Sequence, residues 1–439
     1  MASTTSIMRV LSKTDYDHQY FLEVVEADLD SLAQSSVRVR TTLVSLTSNN
    51  LAYCALGRVL HWWDTYPVPS FASAPYNDRQ TYGISPAWGY ATVLESDVSE
   101  IASGALLWGL FPLSTFPVDL QLKKAPGTPG HWLETSAHRQ TLMSLYNRYL
   151  AVPEGEASAQ FDLTRAWTSL LRPIWEAGYL LNRFVYQSSP ADPPVHPFSE
   201  SGLPWSAQDA DIRSAILISL GASSKTGRSF AQQAATNRAA GSGPKLLVEV
   251  SSEGVSALDG LKVPFPYRVT TYADIVSEDS LACLARQQVR RIIIIDFGSR
   301  DNILEKLALR LKELSLQSNA QVEVLGVGGE AKVYSAASME ERMERAGRLE
   351  SIQFNASGVK DKAMELVGDA RYFAEMLAEF ERVVNSELKR NKGTQREGQV
   401  LGIALKRQTG LRGDGGVEGT WMRLCRGEVA GGEGLVFTL

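Results

Sequence analysis

AILISLGASSKTGRSFAQQA, residues 215–234, is the stretch on which the fold turns. Ala215–Leu220 is an unbroken apolar-leaning run that stops at Gly221, Gly227 closes the turn, and Thr226–Ala240 reads as a helix. A short apolar run bounded by glycine and followed by a helix is the pattern of a strand covered on both faces. Downstream, Leu246–Val250 is the next strand, and Ile292–Ile295 places four isoleucines in a row, which a central strand tolerates and an edge strand does not. Val322–Val327 follows a helix over Ile303–Leu316. This β-α-β-α series predicts an α/β chain with a parallel, doubly wound sheet and right-handed crossovers.

Upstream the rhythm differs. Ser36–Leu46, SVRVRTTLVSL, alternates apolar and polar in its first half as a half-buried antiparallel strand does. Turn residues then punctuate short apolar segments such as Ala91–Leu94 and Ala105–Phe111, which predicts a mostly β domain. Helical spacing appears over Thr141–Tyr149 and Ala166–Tyr186, followed by a Pro/Ser-rich connector, Ser188–Pro204. Past Ser338, Asp369–Lys389 predicts an amphipathic helix with Phe373, Met376, Leu377, Phe380, Val384 and Leu388 on one face. A Gly-rich stretch, Gly410–Gly416, and a terminal strand, Gly434–Leu439, close the chain.

The 439 residues are 44% hydrophobic and 21% charged, with 35 Gly and 18 Pro, a globular composition that excludes collagen, coiled coil and wholesale disorder. A net charge of −5 lacks the basic excess of phosphate-backbone binding, so nucleic acid is not an expected partner. Cys54, Cys283 and Cys425 are too scattered for a disulfide framework or a zinc knuckle. With no leader-like start and no apolar run of about 18 residues, the cytoplasm is the expected location and a membrane is not.

In a dinucleotide-binding fold, a turn such as Gly221–Gly227 sets backbone N–H groups and a helix N-terminus against a pyrophosphate. The same residues also describe an ordinary βα connection turned on glycines. Ser224 and Lys225 stand where glycines admit the phosphate; Lys225 either obstructs it or offers it an ammonium. The end of the second strand, Val250-Ser251-Ser252-Glu253, has no acid directly at its tip to hold a ribose 2′-hydroxyl, which leans towards NADP(H), although Glu253 is only a residue or two away and no Arg or Lys follows to grip a 2′-phosphate. Asp296-Phe297 either faces the nicotinamide or caps the helix near Asn302.

In the first domain Asn50 and Tyr53 lie one helical turn apart, and His61, Trp62 and Trp63 follow the fold-back at Gly57. These groups suit proton transfer to a carbonyl substrate against an aromatic wall, or else turn chemistry and core packing. Asn50, Tyr53 and His61 are the catalytic candidates, with Trp62, Trp63, Tyr146 and Arg172 lining or buttressing the substrate. Five histidines, none paired at ligand spacing, argue against a metal.

The order of features resembles the zinc-free quinone and enoyl reductase branch of the medium-chain dehydrogenase/reductase superfamily. Gly221-Ala222-Ser223 and Gly227 resemble its GAAGGVG turn, and Val248–Glu253 resembles its second strand. Val269–Ile275, VTTYADI, is similar to the segment in which a tyrosine lines the cofactor cleft, here Tyr272. In Ala87–Glu95, AWGYATVLE, Gly89-Tyr90 takes the place of zinc ligands. Together LTSNNLAYCALG, HWWDTYP, PAWGYATVLES, AHRQTLMSLYNRYL, LLRPIW and SSKT resemble a family of about this length, found in bacteria and fungi, that reads as a divergent medium-chain reductase.

That resemblance implies a GroES-like domain over 1–175, a Rossmann-like dinucleotide domain over 176–340, and a return to the first domain over 341–439. It implies NADP(H) held by Gly221, Ser223, Ser224, Lys225, Thr226, Gly227, Ser251, Ser252, Tyr272, Asp296 and Phe297. The expected activity is zinc-independent reduction of an activated C=C or C=O in a hydrophobic, polyketide-like metabolite, bound in a cleft between the domains. The expected partners are that small substrate and a second copy of the chain as a homodimer. Two other classes fit the same residues: a redox-neutral dehydratase, isomerase or cyclase that kept the cleft, and a binding protein without catalysis.

Overall fold

The computed structural model describes residues 5–26, 29–152, 163–189, 191–199, 205–287, 289–318 and 320–439. The chain forms two compact units: Met1–Pro173 with Ala331–Ser335 and Leu405–Leu439, and Ile174–Glu330 with Ala336–Ala404.

In the first unit the strand Ser36–Leu46 is the hub. It pairs antiparallel with Pro86–Ser96, with Val118–Lys124 through its first residues, and with Glu433–Thr438 through its last. The strands Leu106–Pro112, Arg148–Ala151 and His131–Glu134 complete the circuit from Pro86–Ser96 to Val118–Lys124, so the sheet closes on itself as a GroES-like barrel. Closure leaves the barrel strands without free edges.

Two sequence expectations fail here for physical reasons. The first half of Ser36–Leu46 is not half-exposed: Arg38 is buried, because its guanidinium meets both carboxylate oxygens of Asp119, at 2.8 and 2.9 Å. Thr141–Tyr149 is not a helix but a single turn, Ser144–Asn147, leading into the strand Arg148–Ala151. Its spacing is overridden because Tyr149 pairs with Trp132 in the barrel and donates its phenol O–H to the Leu110 carbonyl.

The second unit carries six strands, all parallel, in the order Tyr267–Thr271, Leu246–Ser251, Ala215–Leu220, Arg291–Phe297, Gln321–Gly328, Ile352–Gln353. Numbered along the chain this is 3-2-1-4-5-6, the doubly wound Rossmann arrangement. Ala215–Leu220 is buried at every residue and Ile293–Ile295 are wholly shielded, each side chain stabilising the fold by roughly 2 kcal/mol relative to exposure. The first helix spans Lys225–Thr236 and stops short of Ala240. Helix Asp369–Asn391 buries Phe373, Met376, Phe380 and Val384 as its periodicity predicts. Of the Ser188–Pro204 connector, Pro190 and residues 200–204 lie outside the described residues. No helix among the described residues is long and apolar enough to cross a membrane.

Candidate active site

The strand order reverses between Ala215–Leu220 and Arg291–Phe297, and in open parallel sheets the crevice beyond the carboxyl ends at such a point is where ligands bind. Gly221 sits there at φ +69°, in the left-handed region, and a Cβ on it would come to 3.3 Å from the Phe297 carbonyl carbon. A Cβ on Gly227 would stand 3.0 Å from the Ala222 backbone, so glycine is what lets the helix lie against the turn.

Between these glycines Ser224 is the N-cap at φ −64°, its hydroxyl accepting from the Gly227 N–H at 3.1 Å, and Lys225 is the first helical residue. Neither residue needs a positive φ, which is how the chain accommodates side chains at the two positions where the resembling turn has glycines. Helix geometry leaves the first-turn amide of Thr226 without an intrahelical acceptor, and the helix end carries partial positive charge. These residues fit a pyrophosphate.

Arg228 is part of this turn and escaped the sequence reading. Buried to 5% exposure, it donates from Nε to the Ser223 carbonyl at 2.8 Å and from Nη1 to the Leu401 carbonyl at 3.0 Å. Its charge faces Glu249 and Glu253, so a cation does reach the end of the second strand, from the neighbouring helix instead of from the residues after the strand. The signal for it was an arginine directly after the closing glycine.

Ser251 accepts from the Gly254 N–H at 3.1 Å, and Ser252 is exposed at the strand tip. Two residues back, Glu249 is fully buried; desolvation raises its carboxyl to about 7, and the Ser256 hydroxyl donates to it. Asp296 does not cap the helix at Ile303: its Oδ1 accepts from the Ser299 N–H at 2.7 Å and the Gly298 N–H at 3.1 Å and so shapes its own loop. Phe297 packs on Phe230, and Tyr272, half-buried, is pushed up to about 12 by desolvation.

In the first unit four of the substrate-side candidates, Tyr53, Trp62, Tyr146 and Arg172, come together. Tyr53 meets Trp62 at 4.7 Å and Tyr146 at 5.7 Å between ring centres, and Trp62 meets Tyr146 edge-on at 5.5 Å. Trp88 Nε1 donates to the Tyr53 hydroxyl at 3.0 Å, Trp88 stacks on Trp108, and the Arg172 guanidinium lies 3.9 Å over Trp108. Tyr53, 4% exposed, is also hydrogen-bonded to Asn49 and Tyr146, and burial raises its phenol to about 12, so it is neutral at physiological pH. Trp88 and Trp108 were not legible as site residues, because each belongs to a different barrel strand.

The other candidates have separate work. Asn50 closes a capping box: its Oδ1 accepts from the Thr47 N–H at 2.8 Å and its amide donates to the Pro86 carbonyl at 3.0 Å. With both ends of the side chain engaged at 2% exposure, the catalytic expectation for Asn50 gives way to a helix cap. Trp63 packs where a Cβ on Gly57 would come within 2.4 Å of its ring, so Gly57 is set by this contact and not by backbone freedom. His61, at φ +62°, pairs Nδ1 with Asp64 Oδ2 at 2.9 Å and keeps a 40% exposed side chain. Among the described residues no three His, Cys, Asp or Glu side chains gather as metal ligands.

Solved structures of this architecture are similar over the whole chain. A protein described as an NADPH:quinone reductase from Bacillus thuringiensis matches with a TM-score of 0.53 at 12% identity, covering 100% of both chains. A mutant enoyl thioester reductase from Candida tropicalis, and Etr1p in complex with NADP and crotonyl-CoA, each match with a TM-score of 0.51 at 11% identity, covering 99% of this chain and 100% of theirs. At such identities the likeness is one of fold. No curated protein sequence matches the chain. The family model for a protein of unknown function, DUF2855, matches residues 44–430, and the chain belongs to that family.

Proposed function

We propose that the protein is a zinc-independent, NADP(H)-dependent reductase of an activated C=C or C=O in a small hydrophobic metabolite. The observation that carries this reading is the turn Gly221–Gly227, with a left-handed glycine, a close-packed glycine and a capped helix at the reversal point of a 3-2-1-4-5-6 sheet. Two solved relatives of the fold have NADPH or NADP in their printed names, which supports the choice of nucleotide.

When bound, the dinucleotide supplies the hydride. Lys225 and the first-turn amide of Thr226 hold the phosphates, and Arg228 balances a 2′-phosphate near Ser251 and Ser252. Burial favours the protonated form of Glu249, which would lessen its repulsion of that phosphate. The Tyr53 phenol donates to the acceptor oxygen, and the rings of Trp62 and Tyr146 supply an apolar wall.

Titration with NADPH, followed by enhancement of its nicotinamide fluorescence, tests the reading. Saturable binding is expected, with Lys225→Ala weaker by about tenfold, the scale of a charge-assisted contact. Equal affinity in the variant removes Lys225 from the site, and no affinity in the parent chain favours a redox-neutral enzyme on the same fold.

A further inference from the structure

A cavity of about 520 Å³ opens in the first unit, and none of the residues assigned above to the reductase site lines it. Its walls are apolar in larger part, with Met8, Tyr66, Ile84, Phe116 and Leu120 among them, and Phe71 stands in the lining with 59% of its surface exposed. The volume lies within the range of small-molecule sites, roughly 300 to 1,000 Å³. An exposed phenylalanine in the wall of such a cavity is apolar surface that a ligand would cover.

Charge and hydrogen bonding narrow the ligand. Arg38 in the lining is held by Asp119 in a two-pronged pair, and its Nη2 also donates to the Asp30 carbonyl at 2.7 Å. Arg139, at 1% exposure, donates to Asn147, to the Tyr149 hydroxyl and to the Tyr146 carbonyl, with Glu134 at 3.5 Å. Each arginine in the lining is thus matched by a carboxylate of the protein, and burial holds the His138 imidazole towards its neutral form, so an anionic ligand would be desolvated without compensation. One polar atom stands apart. Thr65, a residue only 1% exposed, is among the lining residues, and its buried hydroxyl has no hydrogen-bond partner among the described residues. A buried hydroxyl left unsatisfied costs free energy that a ligand oxygen recovers.

We propose that this cavity binds a small, uncharged, largely apolar molecule carrying one carbonyl oxygen, which accepts a hydrogen bond from Thr65. The site is distinct from the nucleotide turn, and the proposal does not rest on the reductase reading.

The test uses prodan, an uncharged naphthyl ketone whose emission moves to the blue in apolar surroundings, titrated into the full chain. Saturable 1:1 binding with a blue shift is expected. Thr65→Val keeps the side-chain volume and removes the donor, and affinity falls by about threefold to tenfold. Phe71→Asp places a charge in the exposed wall, where folding tolerates it, and affinity falls by at least about tenfold. Thermal unfolding of both variants verifies that they fold. Absence of a saturable shift in the parent chain overturns the proposal, and so does an unchanged affinity in both folded variants, which places the probe elsewhere.

Discussion

Glu249→Gln converts the most exposed consequence of the second unit's polar interior into a measurement. Glu249 lies mid-strand in Leu246–Ser251, in register with Ser219 on one side and Val269 on the other, and is 0% exposed. The Ser256 hydroxyl and the Ala257 backbone N–H both favour the ionised carboxyl, and among the described residues the adjacent Ser219 hydroxyl has no partner. Arg228 on the neighbouring helix faces it, yet desolvation outweighs that attraction and the group titrates at about 7 instead of 4.5. The unfolded chain loses this proton near pH 4.5 and the folded chain near pH 7, so the stability Glu249 provides is complete below 4.5 and is lost as the pH rises to 7. At about 1.4 kcal/mol per pH unit that interval is worth about 3 kcal/mol. Glutamine stays neutral throughout. Urea unfolding of parent and variant at pH 5 and pH 8 is therefore expected to show the variant gaining on the parent by about 2 to 3 kcal/mol between the two pH values. A difference between the two chains that does not change with pH, or that changes in the opposite sense, refutes the reasoning.

Tyr53→Phe is expected to lower turnover on the true substrate by about a hundredfold, the size of one acid–base contribution. It also strands the Trp88 Nε1–H donor, so thermal or urea unfolding is expected to show a loss of about 1 to 3 kcal/mol; an unaltered stability would mean that this hydrogen bond contributes nothing. Gly227→Val drives a side chain into the Ala222 backbone 3.0 Å away, and NADPH fluorescence enhancement is expected to vanish while circular dichroism still reports the parallel sheet; retained binding would separate the turn's packing from the nucleotide site.

Much of the architecture follows from residues that are neighbours in the chain. AILISL and the four isoleucines Ile292–Ile295 are apolar on both faces, and only a doubly covered parallel strand satisfies such a run, so the sheet was legible before any contact was known. Gly221 was legible too, because a strand that must turn at once into a helix needs a residue at ease with positive φ. What required the tertiary structure is what depends on partners far along the chain. Thr141–Tyr149 has helical spacing, but Tyr149 is claimed by the barrel, and pairing across strands outweighs a local propensity worth tenths of a kcal/mol per residue. Asn50 suits proton transfer or turn chemistry until the Pro86 carbonyl, 36 residues on, takes its amide. Trp88 and Trp108 become neighbours of Tyr53 and Arg172 only when the barrel closes, and Thr65 becomes an unpartnered donor only when burial removes its water. Backbone conformation is set over a few residues and is written locally. The chemistry of a polar side chain is set by what excludes its solvent, and that is decided by packing across the whole fold.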